Sequence, residues 1–246
     1  MTEPPKPSPA SKPLKPRDAA TLIVVDRTKA EPRVLMGRRR MDQVFMPGKF
    51  VFPGGSVDKE DRLVASADDL MPAETAKLLL DMKGTPSASR ARALALAAVR
   101  EAFEEAGIVL GTKSETAVAT PHEGWAPFFN LGYLPRISSL SFFARAITPP
   151  GRPRRFDTRF FCVAADEIAT TVDPTTDELS SLEWFTRDET RALDLPPITH
   201  VILEELTDRL KSGALHDAEA AVPYYHARSG TFRRDLLVPA PATLTT

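Results

Sequence analysis

The sequence predicts an α+β fold in which helices pack on a mixed β-sheet, and three observations carry that prediction. Apolar, β-rich runs near the start have the pattern of hairpin-connected strands. A long helix rich in alanine and leucine follows in the middle of the chain. Further strand-like runs then lead to a second amphipathic helix near residue 200. This mixture of strands and helices is typical of a sandwich with helices on a central sheet.

Three strands are predicted before residue 56. ATLIVVD (20–26) and RVLMGRRR (33–40) are rich in large apolar residues and are separated by a short polar turn. KFVFPGG (49–55) is a third strand that ends at a Pro-Gly-Gly break. These runs place the start of a single ordered domain near residue 19, and we expect it to extend to about residue 240.

Helices and strands follow one another in the remainder of the chain. Residues 58–83 combine acidic and apolar residues at helical spacing, which favours one or two short helices. The strongest helix spans 86–107, where Ser87 or Ser89 can cap the start and Gly107 ends it. Beyond it we expect a strand or a helix at 138–148, strands at 155–165 and 180–185, and an amphipathic helix at 197–210.

Composition excludes several classes of protein. The net charge is −1 and the charged fraction 26%, so nothing indicates general attraction to nucleic acid or to an anionic membrane. The single cysteine, Cys162, cannot form an intramolecular disulfide and lies in an apolar run, where a small buried hydrophobe is expected. Residues 1–18 form a Pro/Lys-rich tail that we expect to be disordered and that lacks the apolar core of a secretory signal. We therefore expect a cytoplasmic protein.

The helix around AAVREAFEEAGI (97–108) carries three glutamates on one face. Glu101, Glu104 and Glu105 fall within about 100° of arc, because positions i, i+3 and i+4 share a face. Leu96, Val99, Phe103 and Ala106 occupy the opposite face and can enter the core. The carboxylates repel one another and lie near the helix C-terminus, where the helix dipole also disfavours negative charge. A solvated surface tolerates this arrangement, whereas a hard divalent cation such as Mg²⁺ or Mn²⁺ would use it as a ligand set.

The context of this helix favours the metal site. FPGG (52–55) and REAFEEAGI (100–108) together resemble the signature of the Nudix hydrolases, G-x5-E-x7-R-E-U-x-E-E-x-G-U, where U is a bulky aliphatic residue. Ala102 is small for its position, and Asp61 stands where the signature has its first glutamate. Arg100 follows Gly55 by 45 residues instead of 14, so an insertion of 31 residues, roughly 62–92, splits the signature. Such an insertion is tolerable because the cost of closing a loop rises slowly with its length.

The resemblance implies a Nudix-type α/β/α sandwich and a hydrolase that cleaves a nucleoside diphosphate linked to another group. Carried over, Glu104 and Glu105 are principal ligands of Mg²⁺ or Mn²⁺, and Glu101 is a ligand or the base that activates water. Arg100 would hold a glutamate in place. Gly54 and Gly55 would bring the backbone close to the metal and the substrate. Asp61 is expected to be a weak outer ligand or merely solvated.

Two further groups are candidates for the site. Glu178 and Glu183 lie on a later segment from which many family members recruit a base, and Glu178 is preferred because its surroundings are more polar. The cluster Arg38, Arg39 and Arg40 follows a strand just before FPGG and is expected either to bind substrate phosphate, Arg38 in particular, or to guard a strand edge.

The split signature resembles the branch of the family that contains peroxisomal coenzyme A diphosphatases. It favours coenzyme A or an acyl-coenzyme A as substrate, with an ADP-sugar, a dinucleotide or an oxidised nucleotide as alternatives. A non-catalytic Nudix-fold binding or sensor module is the alternative of a different class. No nucleic acid or membrane partner is expected. Related enzymes are often dimers, so a homodimer is a further expectation, with the oligomeric state left open.

Overall fold

The computed structural model describes residues 14–43, 46–116, 120–213, 215 and 217–239. Residues 1–13 of the predicted tail, and residue 240 at the predicted domain end, lie outside these ranges. The strands within them are β1 (Arg17–Asp26), β2 (Arg33–Arg39), β3 (Phe50–Val51), β4 (Gly54–Ser56), β5 (Ile108–Val109), β6 (Gly111–Lys113), β7 (Tyr133–Pro135), β8 (Ser141–Ile147), β9 (Phe156–Ala164), β10 (Thr170–Thr171), β11 (Leu179–Thr186), β12 (Val222–Arg228) and β13 (Thr231–Leu237). The α-helices are α1 (Pro72–Leu79), α2 (Ala88–Ala106), α3 (Ala126–Asn130) and α4 (Pro197–Lys211).

A mixed sheet of nine strands forms the centre of the fold. Its main path runs β11-β2-β1-β9-β8-β12-β13, with β3 added to β2 and β4 added to β1. The pairs β1–β9 and β8–β12 are parallel, and the remaining pairs of this sheet are antiparallel. The pairing of β4 with β1 places Gly54 and Gly55 beside Thr21 and Ala20. This register fixes the position of the glycines relative to the helix above the sheet.

Helices cover both faces of the sheet, which confirms the predicted α/β/α sandwich. Side chains of β1 alternate between the faces: Leu22 and Val24 pack into the core beneath α2, and Ile23 and Val25 pack into the core beneath α4. The buried apolar positions of the helices lie in the matching cores, among them Leu94, Leu96, Val99 and Phe103 of α2 and Ile202, Leu203 and Leu206 of α4. The alanine-rich sequence lets α2 lie close to the sheet, since Ala95, Ala97 and Ala98 are fully buried.

Most predicted elements are confirmed; one open alternative is decided and two boundaries are corrected. Residues 138–148, left open between strand and helix, contain the strand β8. The predicted strand over 49–55 is two short strands, β3 and β4, so the two glycines lie in extended backbone and not in a plain turn. Strand β1 begins at Arg17, so the last two residues of the predicted tail belong to the sheet. Cys162 is completely buried, and burial raises its pKa to about 12, as suits a core residue.

The insertion contributes helical structure that packs on the domain. It holds α1 and the start of α2, and a 3₁₀ turn at Glu60–Arg62 precedes it. Within α1, Lys77 is fully buried and pairs with Glu74 at 2.6 Å, while the other carboxylate oxygen of Glu74 accepts a hydrogen bond from Phe142 N. These buried contacts fix α1 against β8. None of the helices in the described ranges has the length and apolarity needed to span a membrane.

Candidate active site

The glutamate face of α2 lies at the C-terminal end of that helix, above β4. Ser87 caps the start of the helix, where its side chain accepts a hydrogen bond from Arg90 N. Gly107 ends it with a left-handed backbone, φ 64°. No basic residue lies in the last turn. The local sequence therefore builds a capped helix whose last two turns carry three glutamates and one arginine, Arg100, toward the sheet.

Arg100 is the hub of the site. Its Nη1 donates to Glu101 Oε1 at 3.0 Å and to Glu104 Oε2 at 3.1 Å, and its Nη2 donates to the Ser56 carbonyl at 3.0 Å. The guanidinium also forms a fork with Asp61, from Nε at 3.0 Å and from Nη2 at 3.2 Å. Burial opposes its charge, but these carboxylates raise the pKa of Arg100 further above its ordinary value. The predicted contact between Arg100 and a glutamate is present, and it involves two glutamates.

Asp61 is not solvated, which corrects one of the two expectations for it. It is completely buried, and besides Arg100 it accepts hydrogen bonds from Trp125 Nε1 at 2.9 Å and from Asp58 N at 2.8 Å. Trp125 is also fully buried and packs edge-on against Phe128. Asp61 therefore positions Arg100, and Trp125 fixes Asp61. The position of Asp61, six residues after Gly55, was the one signal in the sequence that pointed to this role.

Gly54 and Gly55 bring the backbone into contact with the glutamates. Gly54 N donates to Glu105 Oε2 at 2.9 Å. A Cβ atom on Gly55 would lie 2.3 Å from Glu101 Oε1, closer than any side chain permits. A Cβ atom on Gly54 would lie 2.6 Å from the Ala20 carbonyl oxygen. Neither glycine has a positive φ. Gly54 therefore excludes a side chain because it meets backbone, whereas a side chain at position 55 would displace the carboxylate of Glu101.

Burial raises the pKa values of the three glutamates, and the nearby positive charge does not offset this effect. Burial raises the pKa of Glu101 to about 7 and that of Glu105 to about 8, and it also raises the pKa of Glu104. The neighbouring charges of Glu101 and Glu178 add to the effect at Glu105. Arg100 lowers the pKa of Glu101 and Glu104 without offsetting their burial. A further cation beside them would therefore favour the ionised form of all three carboxylates.

The chemistry of these donors fits a hard divalent cation, which favours several carboxylate oxygens. Their present orientation does not yet form a closed site: within the described ranges, no three His, Cys, Asp or Glu side chains converge enough to hold a metal ion. Glu101 and Glu104 point to Arg100, and Glu105 points to Gly54 N. Coordination by all three would need at least one of these side chains to rotate.

The structure brings Arg39, and not Arg38, to the glutamate side of the sheet. Leu35 faces the core beneath α2 and Met36 the core beneath α4, so strand alternation directs Arg38 away from the glutamates. The exposed Arg38 donates to the Gly48 carbonyl at 3.3 Å. Arg39 Nη2 lies 3.2 Å from Glu178 Oε2, and the charge of Arg39 lowers the pKa of Glu105. Alternation along β2 separates Arg38 from Arg39, but which of the two faces the glutamates depends on the place of the strand in the sheet.

Glu178 is near the glutamate helix, and Glu183 is not. Glu183 pairs in register with Met36, whose side chain belongs to the α4 face. The segment that leads to Glu178 is attached to the end of α2: Thr175 N and Thr176 N both donate to the Glu104 carbonyl at 3.0 Å. Val172 N donates to the Gly107 carbonyl at 2.9 Å. These three backbone hydrogen bonds, at Glu104 and at Gly107, hold the segment against the last turn of α2.

An α/β/α sandwich that presents an R-E-x-x-E-E helix to a Gly-Gly strand has the architecture of the Nudix fold. A crystal structure of a Nudix hydrolase from Alicyclobacillus acidocaldarius is similar, with a TM-score of 0.56, 24% identity, and coverage of 77% of this chain and 90% of that chain. The Nudix domain of Shewanella oneidensis NrtR, crystallised with ADP ribose, gives a TM-score of 0.45 at 12% identity, covering 80% of this chain and 90% of that one.

The family model described as the NUDT19 Nudix domain matches residues 16–193. This chain therefore belongs to the Nudix hydrolase family, in its NUDT19-like branch. A Caenorhabditis elegans protein named "Putative nudix hydrolase 7" is 32% identical over 180 residues, which cover 69% of this chain. The match covers 51% of that relative, so the chain spans about half the length of the curated protein it resembles.

Proposed function

We propose that this protein is a Mg²⁺- or Mn²⁺-dependent hydrolase that cleaves the diphosphate bond of a nucleoside diphosphate linked to another group. One observation carries the proposal: Glu101, Glu104 and Glu105 lie on one partly buried face of α2, next to a strand whose two glycines have no side chain to separate them from the glutamates. Family membership supports the same reaction class. A bound divalent cation would neutralise phosphate charge and lower the pKa of a bound water.

Each residue of the site has a defined task under this proposal. Glu104 and Glu105 are the principal ligands, and Glu101 is a ligand or the base that takes a proton from the attacking water. Arg100 keeps Glu101 and Glu104 oriented through its two hydrogen bonds. The Gly54 N–H donates to one oxygen of Glu105 and leaves the other for coordination. Glu178, beside Arg39, is a second candidate for the base.

Coenzyme A or an acyl-coenzyme A is the substrate we favour. The split signature resembles coenzyme A diphosphatases, and the matching family model is that of the NUDT19 Nudix domain. Under this proposal the partner of the protein is a small molecule, in a cytoplasmic setting, with neither nucleic acid nor membrane required. Arg39 replaces Arg38 as the basic residue best placed to meet a substrate phosphate.

The test is a panel of nucleoside diphosphate derivatives, including coenzyme A, an ADP-sugar and a dinucleotide, incubated with and without Mg²⁺ or Mn²⁺. We expect metal-dependent cleavage into two phosphorylated products. For coenzyme A these are 4′-phosphopantetheine and 3′,5′-ADP, which mass spectrometry separates. Cleavage of the other substrates with coenzyme A left intact would overturn the substrate assignment and keep the reaction class.

Matched variants distinguish the metal site from general damage. Glu104→Gln and Glu105→Gln should each nearly abolish cleavage, whereas Glu204→Gln, an exposed change on α4, should leave it unchanged. Cleavage that survives both site substitutions would contradict the assignment of the ligands. Absence of cleavage with every metal, together with measurable nucleotide binding by calorimetry, would favour the binding or sensor module instead.

A further inference from the structure

Strand β13 forms one edge of the central sheet. Within the described ranges it pairs only with β12. Six of its seven residues, 231–236, are exposed. Phe232 is 53% exposed, Leu236 50%, and Val238, just beyond the strand, 65%. Few large apolar side chains in the described chain are this exposed, and three of them lie together along this edge.

The turn between β12 and β13 determines which backbone groups point away from the sheet. Ser229 and Gly230 both have positive φ, 50° and 80°, as a two-residue type I′ turn requires. Such a turn makes Arg228 and Thr231 the first hydrogen-bonded pair. Because hydrogen-bonded and non-bonded pairs alternate, residues 232, 234 and 236 direct their N–H and C=O groups to the open edge. Pro223, which has no N–H, lies opposite Leu236 at a non-bonded position, in agreement with this assignment.

A second copy of the same strand matches this edge. If two β13 strands pair antiparallel about a two-fold axis at Arg234, then 232 faces 236 of the second copy, and 234 faces 234. All three outward-facing positions then become hydrogen-bonded pairs, and the two strands exchange six backbone hydrogen bonds. A register shifted by one residue would pair outward-facing positions with inward-facing ones.

The same register makes the side chains complementary. Arg233 of each copy lies opposite Asp235 of the other, so two opposite-charge pairs form across the axis. Phe232 lies opposite Leu236, which joins the exposed apolar residues of the two copies. Arg234 meets its own equivalent at the axis, but each Arg234 is already paired with Glu205 of α4, at 2.6 Å and 3.1 Å. The like charges are therefore compensated within each chain.

A groove beside the edge provides space for the contact between Leu236 of one copy and Phe232 of the other. It has a volume of about 250 Å³ and lies between α4 and the end of the β12–β13 hairpin, bordered by Leu236, Pro223 and Arg209. Phe232 lies on the same face, since its ring stacks on Tyr225, which bonds to Glu205. Phe232 of a second copy, opposite Leu236, would therefore lie at the mouth of this groove.

We propose that β13 is a homodimer interface, in which two copies pair antiparallel about Arg234 and join their sheets. Sedimentation velocity of the full chain should give a species of twice 27.0 kDa that dissociates on dilution. Hydrogen exchange should show protection of the amides of 232, 234 and 236 that rises with protein concentration. The inward-facing amides of 233 and 235 should be protected at every concentration.

Charge exchange provides the matched control. Arg233→Asp places like charges opposite each other twice and should weaken dimerisation at least about tenfold. The double variant Arg233→Asp with Asp235→Arg reverses both pairs and should restore it, while circular dichroism reports that each variant folds. A monomer at 100 µM would overturn the proposal. A dimer whose dissociation constant is unchanged by Arg233→Asp would overturn it too. Outward amides protected equally at every concentration would show that another segment of the chain covers the edge, which would overturn the proposal as well.

Discussion

Two clusters of buried charged residues in this protein differ in their balance of positive and negative charge. Around Arg100, one guanidinium faces the carboxylates of Asp61, Glu101 and Glu104, with Glu105 alongside. Around Asp157, Arg145 forms a bidentate pair at 2.8 Å and 2.7 Å, and Arg159 lies 3.0 Å from both Asp157 and Asp18. The first cluster has excess negative charge, and the second has partners of both signs.

The pKa values follow this balance. Burial raises the pKa of Glu101 and Glu105, whereas Asp18 keeps a lowered pKa although it is partly buried, because Arg90 and Arg159 bond to it. In the second cluster, partners of opposite sign offset much of the cost of burial without any added ion, although burial still lowers the pKa of Arg159. An unbalanced cluster costs stability unless a cation compensates it, which makes it a candidate functional site. The comparison therefore distinguishes a structural network from a candidate active site.

The largest expected effect is that of Glu105→Gln, which should lower activity without lowering stability. Glu105→Gln should lower kcat/KM at least about a hundredfold, because a metal ligand is lost. It should leave the metal-free melting temperature at pH 8 unchanged or higher, since a neutral amide replaces a buried carboxylate and can still accept from Gly54 N. Steady-state kinetics and thermal unfolding measure the two effects. A parallel loss of both would contradict the comparison.

In the cluster around Asp157, we expect a substitution to lower stability and to leave activity nearly unchanged. Asp157→Asn leaves Arg145 and Arg159 without their buried partner and should cost about 3–5 kcal/mol of stability. Activity per folded molecule should stay within about twofold. Chemical denaturation measures the free energy of unfolding, and the exposed substitution Asp188→Asn is the control, expected within about 0.5 kcal/mol of the unaltered protein.

A smaller effect is expected at Trp125. Trp125→Phe keeps much of the aromatic packing but removes the N–H donor to Asp61, so Arg100 loses a fixed partner. We expect about a tenfold loss of kcat/KM, by analogy with groups that orient metal ligands, and about 1–3 kcal/mol of destabilisation. Trp184→Phe is the matched control. Equal losses in the two variants would show that Trp125 acts through packing alone.

The smallest expected effect is on pH dependence. Between the ordinary glutamate pKa of 4.5 and the raised values of about 7 and 8, the folded protein binds more protons than the unfolded chain. The free energy of unfolding of the metal-free protein should therefore fall as pH rises through this window. Glu105→Gln should flatten the slope, and the stabilisation by Mg²⁺ should be larger at pH 8 than at pH 6. An unchanged slope in the variant would contradict the raised pKa.

The local part of the site is readable from the sequence, and the long-range part is not. Helical spacing alone groups the three glutamates and separates them from Leu96, Val99 and Phe103, all of which are buried as predicted.

Long-range partners account for the misses. Asp61 and Trp125 are 64 residues apart, and their bond depends on packing that no local pattern encodes. Arg39 instead of Arg38 faces the glutamates because of the strand's orientation in the sheet. The β12–β13 hairpin was not predicted, since charged residues interrupt its strands, although Ser229-Gly230 is a usable turn signal.

The links between α2 and the segment before β11 have one more consequence. Thr175 and Thr176 are bonded to the Glu104 carbonyl, and β11 begins at Leu179. Only Asp177 and Glu178 lie between these two anchors. The Glu178 carbonyl also accepts a hydrogen bond from Arg40 N, so any movement of Glu178 toward a substrate must come mainly from its own side chain. The proposed second base is thus tethered to the same turn of helix that carries Glu104.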